Sequence, residues 1–152
     1  MPKRFCDLLE IRLPIVLAPM GGAVGPELAA AVSNAGGLGT LPLWYQDIDT
    51  VRSIVRSTRS LTQEPFAANL NMEFPQEEQL DACLEEGVRI ISFFWQSPVH
   101  LIARAKDAGA IVMQTVGSAE AAKRAVDNGV DVIVAQGWVA AGTLWERWQP
   151  WR

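Results

Sequence analysis

Histidine and cysteine are nearly missing from this sequence: His100 is the one histidine, and Cys6 and Cys83 are the only cysteines in 152 residues. Two cysteines cannot build a disulfide framework, so a cytoplasmic, reducing setting is expected. Neither has a metal-ligating neighbour at a usable spacing, so no metal site is expected. Basic residues are also short, with 13 Lys and Arg against 17 Asp and Glu and a net charge of −4. Nucleic-acid and anionic-membrane surfaces need clustered Lys and Arg, and neither partner is expected. No apolar run approaches the ~20 residues of a membrane span. The opening fourteen residues carry charges but no continuous apolar segment, which argues against a secretory signal.

What is present is an apolar fraction of 49%, enough to build the core of one ordinary domain. Short apolar runs read as buried parallel strands at Pro14–Met20, Leu38–Leu41, Phe66–Asn71, Arg89–Phe94, Ala110–Thr115 and Asp131–Ala135. Between them, helical periodicity marks Pro26–Ala35, Ile48–Ser60, Gln76–Glu86, Pro98–Ala108 and Ala119–Asn128. Pro26 and Pro98 suit first helical positions, with Gly25 and Ser97 as the capping residues before them, and Ser118 suits an N-cap. Gly36, Gly87, Gly109 and Gly129 each close a helix.

Alternating βα units imply a parallel sheet with helices outside it. Two architectures satisfy that pattern. One is an open doubly wound sheet of six strands, which this length would complete. The other is a closed (β/α)8 barrel, which needs eight strands and about 250 residues.

Ligands of parallel α/β folds sit at the C-terminal strand ends, so polar or glycine-rich residues there are the candidates. Leu17-Ala18-Pro19-Met20-Gly21-Gly22 ends the first run, and its glycines would let a ligand approach the backbone. The stretch is not a Gly-x-Gly-x-x-Gly fingerprint, and no P-loop lysine follows it. In Pro65-Phe66-Ala67-Ala68-Asn69-Leu70-Asn71, two amides share a face, each offering a donor and an acceptor to a ring edge or to a following loop. Gln114-Thr115 and Gln136-Gly137 end later strands; a loop role explains each pair as readily as convergence on one pocket.

His100 falls in the first turn of a helix and reads as a surface residue. Glu77, Glu78, Glu85 and Glu86, like Arg52, Arg56 and Arg59, read as solvated helix faces. No nucleophile–base pair stands out for hydrolysis.

The order Pro14 to Gly22, Pro26 to Gly39, Pro65 to Leu70 and Gly129 to Gly137 resembles the nitronate monooxygenase (2-nitropropane dioxygenase) family over about residues 8–138. A flavin-dependent enoyl-thioester reductase family shares much of the pattern. The resemblance implies an α/β fold of the (β/α)8 TIM-barrel type, truncated after about the sixth strand. It implies FMN as cofactor, and oxidation of an alkyl nitronate or nitroalkane by O2. In that picture Ala18, Pro19, Met20, Gly21 and Gly22 line the flavin ring, and Asn69, Gln136 and Gly137 contact the cofactor.

The family continues with Glu-Ala-Gly-Gly-His, the histidine being its general base. Here Val139 stands for Glu, Ala141 for Gly and Thr143 for His. A threonine hydroxyl is no general base near neutral pH, so no catalytic residue is assigned. Ala140 to Leu144 can be encoded so that a frame two nucleotides on reads Gly-Gly-His-Ser. The expectation is therefore a partial FMN-binding barrel over residues 1–138 and a frameshifted tail over 139–152, which carries Trp145, Trp148 and Trp151. The gene's own codons, read in that frame, should continue as a barrel. Two rivals remain: a non-catalytic half-barrel that self-associates through an open edge, and the complete doubly wound sheet.

Overall fold

The computed structural model describes residues 5–137. Five strands form one parallel sheet: β1 (Gly39–Pro42), β2 (Phe66–Asn71), β3 (Ile90–Phe94), β4 (Ile111–Val116) and β5 (Val132–Ala135). The helices are α1 (Phe5–Leu9), α2 (Pro26–Ala35), α3 (Ile48–Leu61), α4 (Glu77–Glu85), α5 (Val99–Asp107) and α6 (Ala119–Asp127). Helices α2 to α6 match the amphipathic stretches within two residues at each end, whereas α1 has no counterpart in the sequence reading.

Strand order decides between the two architectures. The strands lie in the sequential order β1-β2-β3-β4-β5. A doubly wound sheet reverses direction at a switch point, and a barrel does not. The sheet is therefore a sector of a (β/α) barrel, and the doubly wound alternative is set aside.

The first expected strand is a correction. Pro14–Met20 forms no strand, only a single parallel bridge between Val16 and Leu38. Two ladder bonds hold it: Leu17 N–H to Leu38 O at 2.9 Å and Leu38 N–H to Ile15 O at 2.8 Å. Pro19 stands where the next ladder donor would be and has no N–H, and at the other end the Ile15 N–H turns back to Leu13 O at 2.8 Å, so the ladder stops at both ends.

Helix ends follow the punctuation. Gly36, Gly87, Gly109 and Gly129 all hold positive φ, where a side chain would be strained. Ser118 Oγ accepts the Ala121 N–H at 3.1 Å, as an N-cap should. Ser97 does not cap α5; Pro98 holds that position, and Ser97 bonds elsewhere.

The sheet has two apolar faces. Outward residues such as Leu41, Leu70, Ile91, Phe93 and Val112 pack under the helices in the main core. Inward residues Leu38, Ala67, Ile90 and Met113 pack with Leu9 and Ile11, so α1 and the turn after it plug the interior at the N-terminal end of the strands. That plug closes the N-terminal end of the strands. Ser33 ties the layers together: its buried Oγ accepts the Gly39 N–H at 3.1 Å and donates to Pro65 O at 2.7 Å. No helix among the described residues is long and apolar enough to cross a membrane. The boundary expected at 138/139, Thr143 and the tryptophan-rich tail lie outside the described residues.

Candidate site at the C-terminal strand ends

Strand parity sorts the candidates by face. In register, Asn69 lies beside Ser92 of β3, Ser92 beside Met113 of β4, and Met113 beside Val132 of β5. All four face the barrel interior, because partnered residues of a parallel sheet point the same way. Asn69 is only 3% exposed. Its Nδ2 donates to Ser92 O and Ser92 Oγ, both at 3.3 Å. Its Oδ1 accepts no hydrogen bond among the described residues, and it is not among their fully buried unpartnered atoms. A buried amide fixed through its donor end and free at its acceptor end suits a ligand N–H.

Asn71 shares that face, and its Oδ1 accepts the Glu73 N–H at 3.1 Å. One of the two amides therefore shapes the following loop while the other stays available. Gln136 extends β5 through its N–H to Val116 O at 3.0 Å, and parity places its half-buried side chain on the inner face. Gly137 follows it, exposed. Strands β2 and β5 are three spacings apart, roughly 14 Å at the usual inter-strand distance. Amides that far apart suit opposite edges of a broad, flat ligand.

The segment Ala18 to Gly22 reaches the same end of the sheet. Ala18, Met20, Gly21 and Gly22 are exposed and Pro19 is half-buried. Met20 O accepts the N–H groups of Ala23 and Val24, at 3.1 and 3.0 Å. Gly22, at φ +76, donates its N–H to Tyr45 Oη at 3.1 Å. The glycine pair thus seats Tyr45, a contact that spacing alone could not reveal.

Gln114 belongs to the opposite face. It is 2% exposed, and its Nε2 donates to the carbonyls of Trp95 and Gln96, each at 3.4 Å. Ser97 Oγ donates to its Oε1 at 3.3 Å, and Asn128 Nδ2 donates to Ser97 Oγ at 2.9 Å. This network holds the β3–α5 loop, in which Trp95 takes a φ of 68, a costly conformation for a bulky side chain. Gln114 therefore has the loop role. The inner-face Ser92 was missed in the sequence; the signal was one small polar residue inside Ile-Ile-Ser-Phe-Phe.

The charged helix faces are not merely solvated. Arg52 pairs with Glu85 and Glu86, Arg56 with Glu86 and Arg104 with Asp81, lacing α3 to α4 and α4 to α5. The hydrogen bond from Arg56, with Arg52 beside it, holds Glu86 below the usual carboxylate range. Its contribution is therefore present above that range and lost as pH falls through the lowered value. His100 is a surface residue as expected, 67% exposed, with Nε2 3.3 Å from Glu77 Oε1. No group of three or more His, Cys, Asp or Glu among the described residues could hold a metal.

Burial pushes the Cys83 thiol up to about 12, so almost no thiolate forms near neutral pH. A disulfide thiol reagent at pH 8 is expected to modify the half-buried Cys6 and to reach Cys83 only after denaturation. Two equivalents reacting quickly with the folded protein would contradict the burial of α4.

A sequentially ordered parallel sheet with its interior plugged at the N-terminal strand ends defines a (β/α)-barrel protein. The sequence profile of the nitronate monooxygenase family matches residues 3–83 and 71–145. The chain belongs to that family. A nitronate monooxygenase of Paraburkholderia phytofirmans is 33% identical over 182 aligned positions, covering 92% of this chain and 49% of the relative. A (3aS,4S,5R,7aS)-5-hydroxy-7a-methyl-1-oxo-octahydro-1H-indene-4-carboxyl-CoA dehydrogenase of Rhodococcus jostii is 33% identical over 137 positions, covering 90% of this chain and 39% of the relative. Among solved structures, FabK of Thermotoga maritima superposes with a TM-score of 0.84 at 34% identity, over 87% of this chain and 43% of that one. A nitroalkane oxidase of Streptomyces ansochromogenes gives 0.80 at 31% identity, over 86% and 48%. The chain thus spans half or less of the length of these relatives.

The alignment of 182 positions exceeds the whole 152-residue chain, so the Paraburkholderia enzyme carries an insertion within the matched region. The two matched profile segments overlap at 71–83, from the end of β2 into α4.

Proposed function

We propose that this chain forms the flavin-facing sector of an FMN-dependent oxidoreductase of the nitronate monooxygenase type, acting on an alkyl nitronate or nitroalkane with O2 in the cytoplasm. The observation that carries the reading is the Oδ1 of buried Asn69 on the inner face, which has no hydrogen bond among the described residues, in a chain of this family. Asn69 accepts a hydrogen bond from a ring N–H of the flavin, while Ser92 fixes the amide so that no reorientation is needed on binding. Gln136 and Gly137 meet the cofactor from the β5 side. Ala18, Pro19, Met20, Gly21 and Gly22 line the ring on the other flank. When bound, FMN would supply the electron sink for the substrate and the centre that O2 reoxidises.

The proton step is a separate matter. His100 lies outside the site, and Thr143 occupies the family's histidine position. This chain is therefore expected to bind flavin without turning over nitronate above background.

The test is the visible absorption spectrum of the purified 152-residue protein with added FMN, on a fraction of known oligomeric state, followed by nitronate-dependent oxygen uptake. Flavin that comigrates with folded protein supports the reading. Its absence at high FMN concentration overturns it.

One observation favours a second reading, an enoyl-thioester reductase relative. The Rhodococcus CoA-ester dehydrogenase aligns over 137 positions, without the insertion that the Paraburkholderia alignment requires. Oxidation of reduced flavin by an unsaturated thioester would select it.

Self-association belongs to the proposal as well. Ile15 and Val16 are 57% and 38% exposed at one end of the sheet, and Val134 of β5 is 36% exposed at the other. Sedimentation velocity should show a weight-average mass that rises with concentration. A monomer at all concentrations would count against an open edge.

A further inference from the structure

We propose that Trp44, Tyr45 and Phe74 form a substrate-specificity subsite for a neutral, apolar body such as a long alkyl chain. The inference rests on the flavin-site reading above and goes further, because it states what the substrate carries beyond its reacting group.

The loops after β1 and β2 supply the wall. Trp44 and Phe74 stack with centroids 5.6 Å apart and planes at 10°. Trp44 and Tyr45 meet edge to face at 4.9 Å. Tyr45 accepts the Gly22 N–H, and a Cβ added at Gly21 would lie 3.4 Å from Tyr45 Cε1 and 3.7 Å from Trp44 Cζ2. The wall therefore stands directly on the glycine loop.

Its surface is held open to solvent. Met20, Tyr45 and Phe74 are 46%, 44% and 48% exposed. Single exposed apolar residues are ordinary, but a cluster around a site marks a binding surface. Side-chain packing alone does not hold the two loops. Gln76, 1% exposed, donates its Nε2 to Trp44 O at 3.1 Å and to Pro75 O at 2.9 Å. Gln79 donates to Gln46 O at 3.3 Å. The Oε1 of Gln76 is buried without a partner, a cost that persists where a fixed geometry is useful.

Tyr45 also borders a cavity of about 230 Å³ whose other walls include Val24, Leu41, Leu43 and Ile54. The wall thus stands beside a recess of mixed lining on the helix side of β1, deep enough to receive the end of a chain.

Charge selects the occupant. Residues 43–47 and 72–77 contain Asp47, Glu73 and Glu77 but no Lys or Arg. A phosphate-bearing tail would meet these carboxylates, with His100 beside Glu77 as a basic neighbour, whereas a neutral hydrocarbon avoids that repulsion. Phe74 lies within residues 71–83, where the two segments that match the family overlap.

The experiment titrates nitroethane, 1-nitrooctane and 1-octanol into the full 152-residue protein and its variants, following ligand-proton line broadening by NMR. The expected result is at least tenfold tighter binding of 1-nitrooctane than of nitroethane, since each buried methylene adds affinity. Phe74→Ala should remove most of that difference, Phe74→Leu should keep part of it, and Ile54→Phe should block the octyl probe by filling the cavity. Octanol should follow nitrooctane; if it binds in a Phe74-dependent way while FMN does not bind, the subsite stands and the flavin reading falls. Equal affinity for the short and long nitroalkanes overturns the proposal. So does octyl binding that survives both Phe74→Ala and Ile54→Phe in variants with unchanged circular dichroism.

Discussion

Gly39→Ala is expected to lower the unfolding free energy by about 3 kcal/mol. The added Cβ would lie 2.1 Å from Ala29 O, 2.7 Å from Ala29 C and 2.8 Å from Ser33 Oγ. Two of these are backbone atoms of α2 and cannot rotate away, so α2 must shift off the start of β1. That shift stretches the bond from Gly39 N–H to Ser33 Oγ, and through Ser33 the bond to Pro65 O. A buried hydroxyl and two backbone groups then lose their partners together, which costs more than the overlap alone. Urea denaturation with the slope unchanged and the midpoint lowered would be the expected record. A midpoint within a few tenths of a molar of the parent would mean that α2 does not press on β1 as closely as the geometry implies. Ser33→Ala is the companion: it removes the hydroxyl without overlap, and its smaller loss measures the hydrogen-bond part.

Replacing Asn69 is expected to separate ligand binding from folding. Asn69→Leu removes the free acceptor and should weaken FMN binding roughly tenfold, the worth of one buried hydrogen bond. Asn69→Asp should act mainly on stability, and its effect should depend on pH. The new carboxyl would sit 97% buried, with an oxygen facing Ser92 O where Nδ2 now donates across 3.3 Å. Burial and the facing carbonyl both disfavour the charged form, so the folded-state pKa is raised above that of the unfolded chain. The native state then holds more protons, and stability falls as pH rises through the unfolded value toward the raised one. A loss of roughly 2 kcal/mol between pH 4 and pH 7, relative to the parent, is expected for a shift of about two units. Thermal melts of parent and variant at both pH values measure it. A pH-independent difference would mean that the position is wetter than 3% exposure indicates.

The two positions differ in how visible they were beforehand. Asn69 and Asn71 stood out because two amides in an apolar strand two residues apart must share a face. Which of them stays free was not legible: Asn71 is engaged by Glu73 N–H in its own loop, and Asn69 is oriented by Ser92 of the next strand. Gln114 looked equivalent to Gln136 in the chain. Strand parity sends one toward the helices and leaves the other on the inner face, and parity needs a register that periodicity does not supply. Gly39 gave no sign at all, since its role is a close approach between elements.

By itself, the sequence determined the βα alternation, the helices from Pro26 to Asn128, the glycine stops and the family. These depend on local chemistry: hydrophobic period, proline's fixed φ, glycine's access to positive φ and the order of short motifs. Only the tertiary structure decided that the strands run in sequential order, that Pro14–Met20 is a bridge and not a strand, and that Arg52, Arg56 and Arg104 lace neighbouring helices. It alone brought Trp44 and Tyr45 against Gly21 and Phe74 against Trp44. Each of these is a contact between residues distant in the chain. Local propensity cannot encode it, because the free energy that fixes it exists only once the partners share a buried surface.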